Sequence, residues 1–410
     1  MGSTSALPPS GIPARDTSSG IGRNVVALGF TSLFTDVSTE MLIPILPLFV
    51  TATLGASATG LGLIEGVAEC VASLLRTASG WLSDRIGHRK RFLVFGYGIS
   101  GLAKAAIGLA SGWPTVLVLR ATDRLGKGLR TPPRDALIAD SVAPASLGRA
   151  FGLHRGMDTL GAAIGPLVSW WLLSRWGALG VEGYRRVFFV SAIPAAISVL
   201  VLLLFVRAPR HPHGGTRAPA APAAALGGAF RRFVTVDAVF QLGNSSNAFV
   251  LLRTQAAGWS ASQVALIYVT YNLVLAASSW PFGHLSDRIG RRPLLVTGYA
   301  LYAGVYALLA LHATRVGVVV AFVLLGVQTA MIDGQARALV ARLVPARSRA
   351  TAYGVHATVV GLALLPASLA AGWLWSHVGP AATFGAGAVL ALAATLLLPL
   401  MLPAHAETGA

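Results

Sequence analysis

Gly80-Trp81-Leu82-Ser83-Asp84-Arg85-Ile86-Gly87-His88-Arg89 returns in the second half of the chain as Gly283-His284-Leu285-Ser286-Asp287-Arg288-Ile289-Gly290-Arg291-Arg292, with the spacing unchanged. Each copy closes a long apolar run and precedes another. Further matches extend the repeat outward. Phe151-Gly-Leu-His154 pairs with Tyr353-Gly-Val-His356, and Arg134 with Ala136-Leu-Ile-Ala139 resembles Arg337-Ala338-Leu-Val-Ala341. Asp36 and Glu40 correspond to Asp237 and Gln241 at nearly the same offset. The chain is therefore read as two related halves.

The residues around the repeat point to lipid as the solvent. Of 410 residues, 54% are hydrophobic and 11% charged, and the mean hydropathy is +0.67. Soluble domains carry about 25% charged residues, so a soluble fold of this size would lack polar surface. A spanning helix needs about 20 mostly apolar residues. Twelve segments qualify, near 25–51, 58–81, 92–111, 115–140, 148–175, 187–206, 230–252, 261–284, 294–312, 316–341, 352–375 and 380–403. The expected fold is an all-α polytopic membrane protein, with twelve transmembrane helices in two pseudo-symmetric six-helix bundles. The expected bounds are a disordered cytoplasmic tail over 1–23, bundles over 24–206 and 229–404, a Pro/Ala/Gly-rich cytoplasmic linker over 207–228, and a tail over 405–410.

The net charge of +17 does not point to nucleic acid, because Arg and Lys sit between apolar runs and no nucleic-acid-binding signature is present. Basic loops instead mark the cytoplasmic side. Arg85, Arg89, Lys90, Arg91, Arg207, Arg210, Arg217, Arg288, Arg291, Arg292, Arg342, Arg347 and Arg349 all fall on one side if there are twelve spans. Arg175, Arg185 and Arg186 are exceptions on the other. Both termini are then cytoplasmic. The lone Cys70 makes no internal disulfide and no metal site, and no cofactor is expected. No Gly-x-x-x-x-Gly-Lys-Ser/Thr phosphate loop occurs, which argues against an ATP-driven pump or enzyme.

Each ionisable group inside a span costs roughly 2.5–3.5 kcal/mol at the bilayer centre on insertion scales, so its presence asks for a reason. Asp36 and Glu40 share a helix face, as do Glu65 and Glu69. Arg120, Asp123, Arg124 and Lys127 form a stripe on span four, followed by Arg130 and Arg134. Span five has His154, Arg155 and Asp158. Asp237, Gln241 and Asn244 lie on span seven, and Tyr268, Tyr271 and Asn272 on span eight. So many polar groups on shared faces suggest a water-filled cavity between the halves. Asp36, Glu40, Glu65, Glu69, Asp123 and Asp158 are the candidates for carrying a proton, Asp36 first because Asp237 recurs. The alternative is that these acids neutralise the span-four cations in static bridges. Arg120, Arg124 and Lys127, with Asp237, Gln241, Asn244, Tyr268, Tyr271 and Asn272, are candidates for lining a substrate cavity. The two arginines are equally available as partners for Glu65, Glu69 or Asp123. Thr131-Pro132-Pro133 is expected to interrupt span four. A structural role is favoured for His154 and His356, and Lys104 is expected to pair with an acid.

The doubled Gly-x-Leu-Ser-Asp-Arg-x-Gly-Arg/His-Arg loop, with twelve spans and a central linker, resembles the signature of the major facilitator superfamily over essentially 24–404. That resemblance implies a secondary transporter of a small solute working by alternating access, drug- or metabolite-efflux-like, not an enzyme. It also implies a monomer in a bacterial plasma membrane. It makes Gly80, Asp84, Arg85, Gly87 and Arg89, with Gly283, Asp287, Arg288, Gly290 and Arg292, a gate latch; the plain alternative is that the arginines only set topology. Arg120 to Gly128 loosely resembles the family's second motif, with Asp123 and Arg124 where an amide and a glycine are usual. Gly161-Ala-Ala-Ile-Gly165-Pro166 resembles the antiporter motif without its second glycine pair. Proton-coupled export is the expected activity, and a passive facilitator or channel for a small polar solute is the alternative.

Overall fold

The computed structural model describes residues 22–86, 88–142, 146–207, 226–345 and 348–402, and the side chains of Asp84 and Asp287 are outside this description. Most of the expected linker and of the N-terminal tail, the C-terminal tail and Gly87 also lie outside the described residues. The described chain is a bundle of helices: α1 (Arg23–Glu40), α2 (Leu46–Leu48), α3 (Ala58–Ile86), α4 (Arg89–Ile107), α5 (Trp113–Asp140), α6 (Leu147–Trp176), α7 (Val181–Phe205), α8 (Gly228–Gly243), α9 (Asn247–Ala256), α10 (Ala261–Ile289), α11 (Arg291–Leu311), α12 (Arg315–Leu343), α13 (Arg349–His377) and α14 (Pro380–Met401). A π-helical stretch, Phe49–Thr53, extends α2.

These helices correspond to twelve spans, because the first and seventh spans are each divided. Pro44 and Pro47 withhold backbone donors, and the first span breaks between Glu40 and Leu46. The seventh breaks at Asn244–Ser246, and the Ser246 hydroxyl accepts from the Ala248 N–H (3.2 Å) to start α9. By length and composition, α3, α7, α10, α11, α12, α13 and α14 are long and apolar enough to cross a membrane. The remaining spans are divided or diluted by charged, polar and small residues. Leu102, Leu311, Trp280 and Leu400 stand at least 75% exposed on the outside of the bundle, where only hydrocarbon makes such exposure favourable.

Span four departs from expectation: α5 runs through Pro132 and Pro133 without a break. Pro132 leaves the Gly128 carbonyl without its helical donor, and the Ser79 hydroxyl of α3 fills that role at 2.9 Å. The lost bond is replaced from a neighbouring helix, as happens when proline is tolerated inside spanning helices.

The two halves meet along two pairs of helices, α3 with α13 and α6 with α10. The second pair repeats the first, since α10 and α13 are the second-half counterparts of α3 and α6. Small residues set the approach. A Cβ at Gly66 would lie 3.0 Å from Leu365, and one at Gly62 or Gly372 would run into the facing backbone. Thr59 bonds the Ser376 hydroxyl through its N–H and its hydroxyl (3.3 and 3.2 Å), closing the end away from the signature loops. The signature-loop end is looser. Gly152, Gly156, Gly283 and Gly354 there face open space.

The cores belong mainly to one half each, and they meet where Leu48 and Ala58 join the second-half cluster and Ala248 and Leu252 join the first-half one. The second half is stacked with aromatics, Phe240 on Tyr299 (4.1 Å between centroids) and Tyr302 on Tyr306 (4.1 Å). In the first half α6 lies on α1: a Cβ at Gly161 would come within 2.5 Å of the Leu33 carbonyl, and one at Gly165 within 2.7 Å of that of Val37. Gly165→Val should therefore lower the thermal midpoint of the detergent-purified protein, with an overpacking cost of about 1–3 kcal/mol. Gly152→Ala, facing open space, should leave the midpoint unchanged. Equal effects of the two would contradict this packing.

Candidate functional site

At mid-depth a cavity of about 230 Å³ opens between the halves. Its first-half wall is ionic: Glu65 and Glu69 from α3, Arg120 and Arg124 from α5. Its second-half wall is neutral and polar. Its polar groups are Asn244, Ser245, Ser246 and Asn247 at the break of span seven, with Tyr268 of α10 and Ser368 of α13; Ala248, Leu251 and Leu364 on this side, and Ile43, Leu46 and Pro47 on the other, add apolar surface. Irregular backbone at membrane depth is tolerated where it lines such a cavity.

The ionic wall is a connected network. Arg120 Nε donates to Glu65 Oε1 (3.2 Å) and Nη1 to Asp123 Oδ2 (3.2 Å). Arg124 Nη2 lies 3.4 Å from Glu69 Oε1, and its Nε 4.0 Å from Asp123 Oδ2. Ser100 of α4 donates to Asp123 Oδ1 (2.6 Å), so both carboxylate oxygens are held. Arg120, Asp123 and Arg124 are each at most 5% exposed. Glu65 is the member that crosses the seam, accepting from the Ser246 hydroxyl (3.4 Å) at the start of α9, where helix-end N–H groups favour negative charge.

The other predicted residues are spread around this network. Asp36 and Glu40 sit half-buried on α1, within electrostatic reach of Lys127. Glu40 faces Tyr268 across the seam. Asp158 lies 3.5 Å from His154 Nδ1. Lys104 donates to the Thr39 hydroxyl at 2.9 Å, and Asp123 and Asp36 are the acids within its electrostatic reach. Gln241 accepts from Asn244 Nδ2 (2.9 Å), and Tyr271 donates to Thr329 (3.3 Å). Asn272 Nδ2 reaches the Ala162 carbonyl on α6 (2.9 Å), a further tie between the halves. Asp237 is off the cavity, bound to Tyr299 and His356.

In the signature loops, Arg89 pairs with Asp140 of α5 and Arg292 donates to the Pro399 carbonyl (3.0 Å). Arg85 and Arg288 are exposed. Gly80 stands against Pro132, whereas Gly283 has no neighbour within 4 Å of a built Cβ. Gly290 holds φ +88°, a conformation that suits glycine between α10 and α11. The carboxylates of Asp84 and Asp287, and Gly87, lie outside the described residues. Pro166 is accommodated inside α6.

Sequence reasoning missed Ser245, Ser246, Asn247 and Ser368 as lining. The run Gly243-Asn-Ser-Ser-Asn247 in the middle of an apolar segment was the available signal for three of them. The network has a measurable consequence. Arg120→Gln leaves Glu65 and Asp123 short of a cation in a desolvated site and should cost about 3–5 kcal/mol. Adding Glu65→Gln should restore part of that loss, read as a partial recovery of the thermal midpoint; fully additive losses would count against the pairing.

Comparison with known proteins agrees with this architecture. The family model for the Major Facilitator Superfamily matches residues 28–252 and 233–409. An uncharacterized MFS-type transporter of Methanocaldococcus jannaschii is 36% identical over 385 residues, covering 92% of this chain and 94% of that protein. A probable 4-methylmuconolactone transporter of Cupriavidus pinatubonensis is 29% identical over 375 residues, covering 86% and 84% respectively. Among solved structures, a bacterial homologue of the human lysosomal transporter Spinster, inward-facing and occupied, superposes with a TM-score of 0.73 at 18% identity, covering 92% of this chain and 96% of that one. From the repeated loop, the paired bundles and these matches, the chain belongs to the major facilitator superfamily of membrane transporters.

Proposed function

We propose that this protein is a secondary active transporter that moves a small polar solute by alternating access, coupled to protons and in the direction of export. The observation that carries the reading is the mid-depth cavity with an ionic wall on one half and a neutral hydrogen-bonding wall on the other. A solute bridging the walls exchanges bonds with both halves at once. Glu65, tied to Arg120 on one side and Ser246 on the other, is where solute binding reaches the seam. Arg120 and Arg124 offer guanidinium donors to an acidic group on the solute, and the span-seven break offers hydroxyls and amides to its polar remainder. The name of the Cupriavidus relative, a probable 4-methylmuconolactone transporter, is in keeping with a solute of this kind.

Proton coupling is assigned to Asp36, with Glu40 beside it. They lie on α1 where the antiporter-like glycines of α6 bring the two helices together, and they have Asp158, Lys127 and the α5 arginines within electrostatic reach. The antiporter-like Gly161, Gly165 and Pro166 support export. A monomer is the state that the family resemblance implies. The plasma membrane, with both termini cytoplasmic, is the location that the basic loops favour.

The test is flux in proteoliposomes with an imposed pH gradient, against a defined panel of small organic acids, amino acids and sugars. At least one panel solute should accumulate against its own gradient in wild type and only equilibrate in Asp36→Asn. Flux of every panel member indifferent to the pH gradient would remove proton coupling, and equilibration without accumulation would favour a passive facilitator.

A further inference from the structure

Away from the cavity, the second half holds a buried acid whose partners are a tyrosine and a histidine. Tyr299 of α11 donates its hydroxyl to Asp237 Oδ1 (2.7 Å), and His356 Nε2 of α13 lies 2.8 Å from Asp237 Oδ2. The Asp237 side chain is 2% exposed and that of His356 12%, so the imidazole is the group by which this carboxylate reaches water. Phe233 stacks on the ring (5.9 Å between centroids) and fixes its plane. All three residues lie about two turns in from the ends of α8, α11 and α13 on the signature-loop side, between that face and the mid-depth cavity. From the elements packed around them, Asp333 of α12 is in electrostatic reach of Asp237 and is itself faced by Arg337 of α12 and Arg155 of α6, and α14 brings no charged group.

The first half carries the same residue types at the repeat positions, Asp36, Tyr97 and His154. There they are not assembled. Among the described residues the Tyr97 hydroxyl and His154 Nε2 have no hydrogen-bond partner, and His154 turns its Nδ1 to Asp158 instead.

We infer that Asp237 and His356 form a second proton-binding site, in the second half, loaded from the signature-loop face. It rests on the proton-coupled reading above. Water on that face delivers a proton to Nδ1 of His356; the Nε2 proton passes to Asp237 Oδ2; the ring is left neutral with its proton on Nδ1. The Nε2–Oδ2 separation is within the range for direct transfer. Tyr299 keeps its own proton and holds the other oxygen. Neutral Asp237 then holds the ring only by an O–H···Nε2 bond, weaker than the charge-assisted bond it replaces, and the tie between α8 and α13 loosens. Because α13 also packs on α3 along the seam, loading this site acts on the contact between the halves. An ionisable pair in a span with no place in the cavity wall is the arrangement expected of a relay.

Two measurements on the full chain test this. In protein carrying ¹⁵N-labelled histidine, the resonances absent from His356→Gln should change tautomer or protonation with pH, and Asp237→Asn should displace that titration. In proteoliposomes, Asp237→Asn and His356→Gln should lose pH-driven accumulation of the solute that wild type accumulates, while keeping solute-for-solute exchange. A wild-type His356 ring that does not respond to pH overturns the proposal whatever the variants do. Folded variants that keep pH-driven accumulation overturn it and leave the proton-coupled reading standing. Absence of pH-driven accumulation in wild type would remove that reading and this inference together.

Discussion

Arg120 held between Glu65 and Asp123, deep in a bundle whose outside is hydrocarbon, is the contact on which the rest of the structure depends. Neither the cation nor the acids can be left alone at this depth, so α3 and α5 must stay together around them. Ser100 and Arg124 complete the set, which recruits α4 and places Glu69 beside Glu65. The network makes one face of the first half both charged and pre-arranged. The second half answers with an uncharged wall, made by unwinding span seven rather than by placing ions there. The seam between the halves can then separate without stranding a charge, because the strong pairs are within one half and only weaker ties, such as Ser246 to Glu65 and Asn272 to Ala162, cross it.

That division also explains where the small residues fall. Along α3 and α13 glycines bring the backbones close at the end away from the signature loops, with Thr59 and Ser376 bonded across. At the signature-loop end the corresponding glycines face space. One end shut and the other loose, around a cavity at mid-depth, is the arrangement that the proposed alternating access calls for.

Much of this was legible in the chain itself. The repeated loop, the twelve apolar runs and the stripe from Arg120 to Lys127 all have local signals, because spanning length, glycine placement and three-to-four spacing are properties of short stretches. What was not legible depends on pairing between distant helices. Pro132 and Pro133 read as a break, yet α5 continues because Ser79 supplies the missing donor. Whether Arg124 meets Glu69 or a solute is not encoded in α5 alone. Asp237 looked like a cavity residue by symmetry with Asp36, and it is Tyr299 and His356, from two other helices, that draw it away.

The central claim is that the halves rock about this seam so that one end closes as the other opens. Distances between spin labels test it most directly, with Cys70 replaced and labels placed at the exposed Ile86 and Ile289 on the signature-loop end, and separately at the exposed Leu179 and Leu311 on the other. Under an imposed pH gradient or saturating solute, one distance should shorten while the other lengthens. Two distances that move in the same direction, or neither moving while solute is transported, would contradict the account.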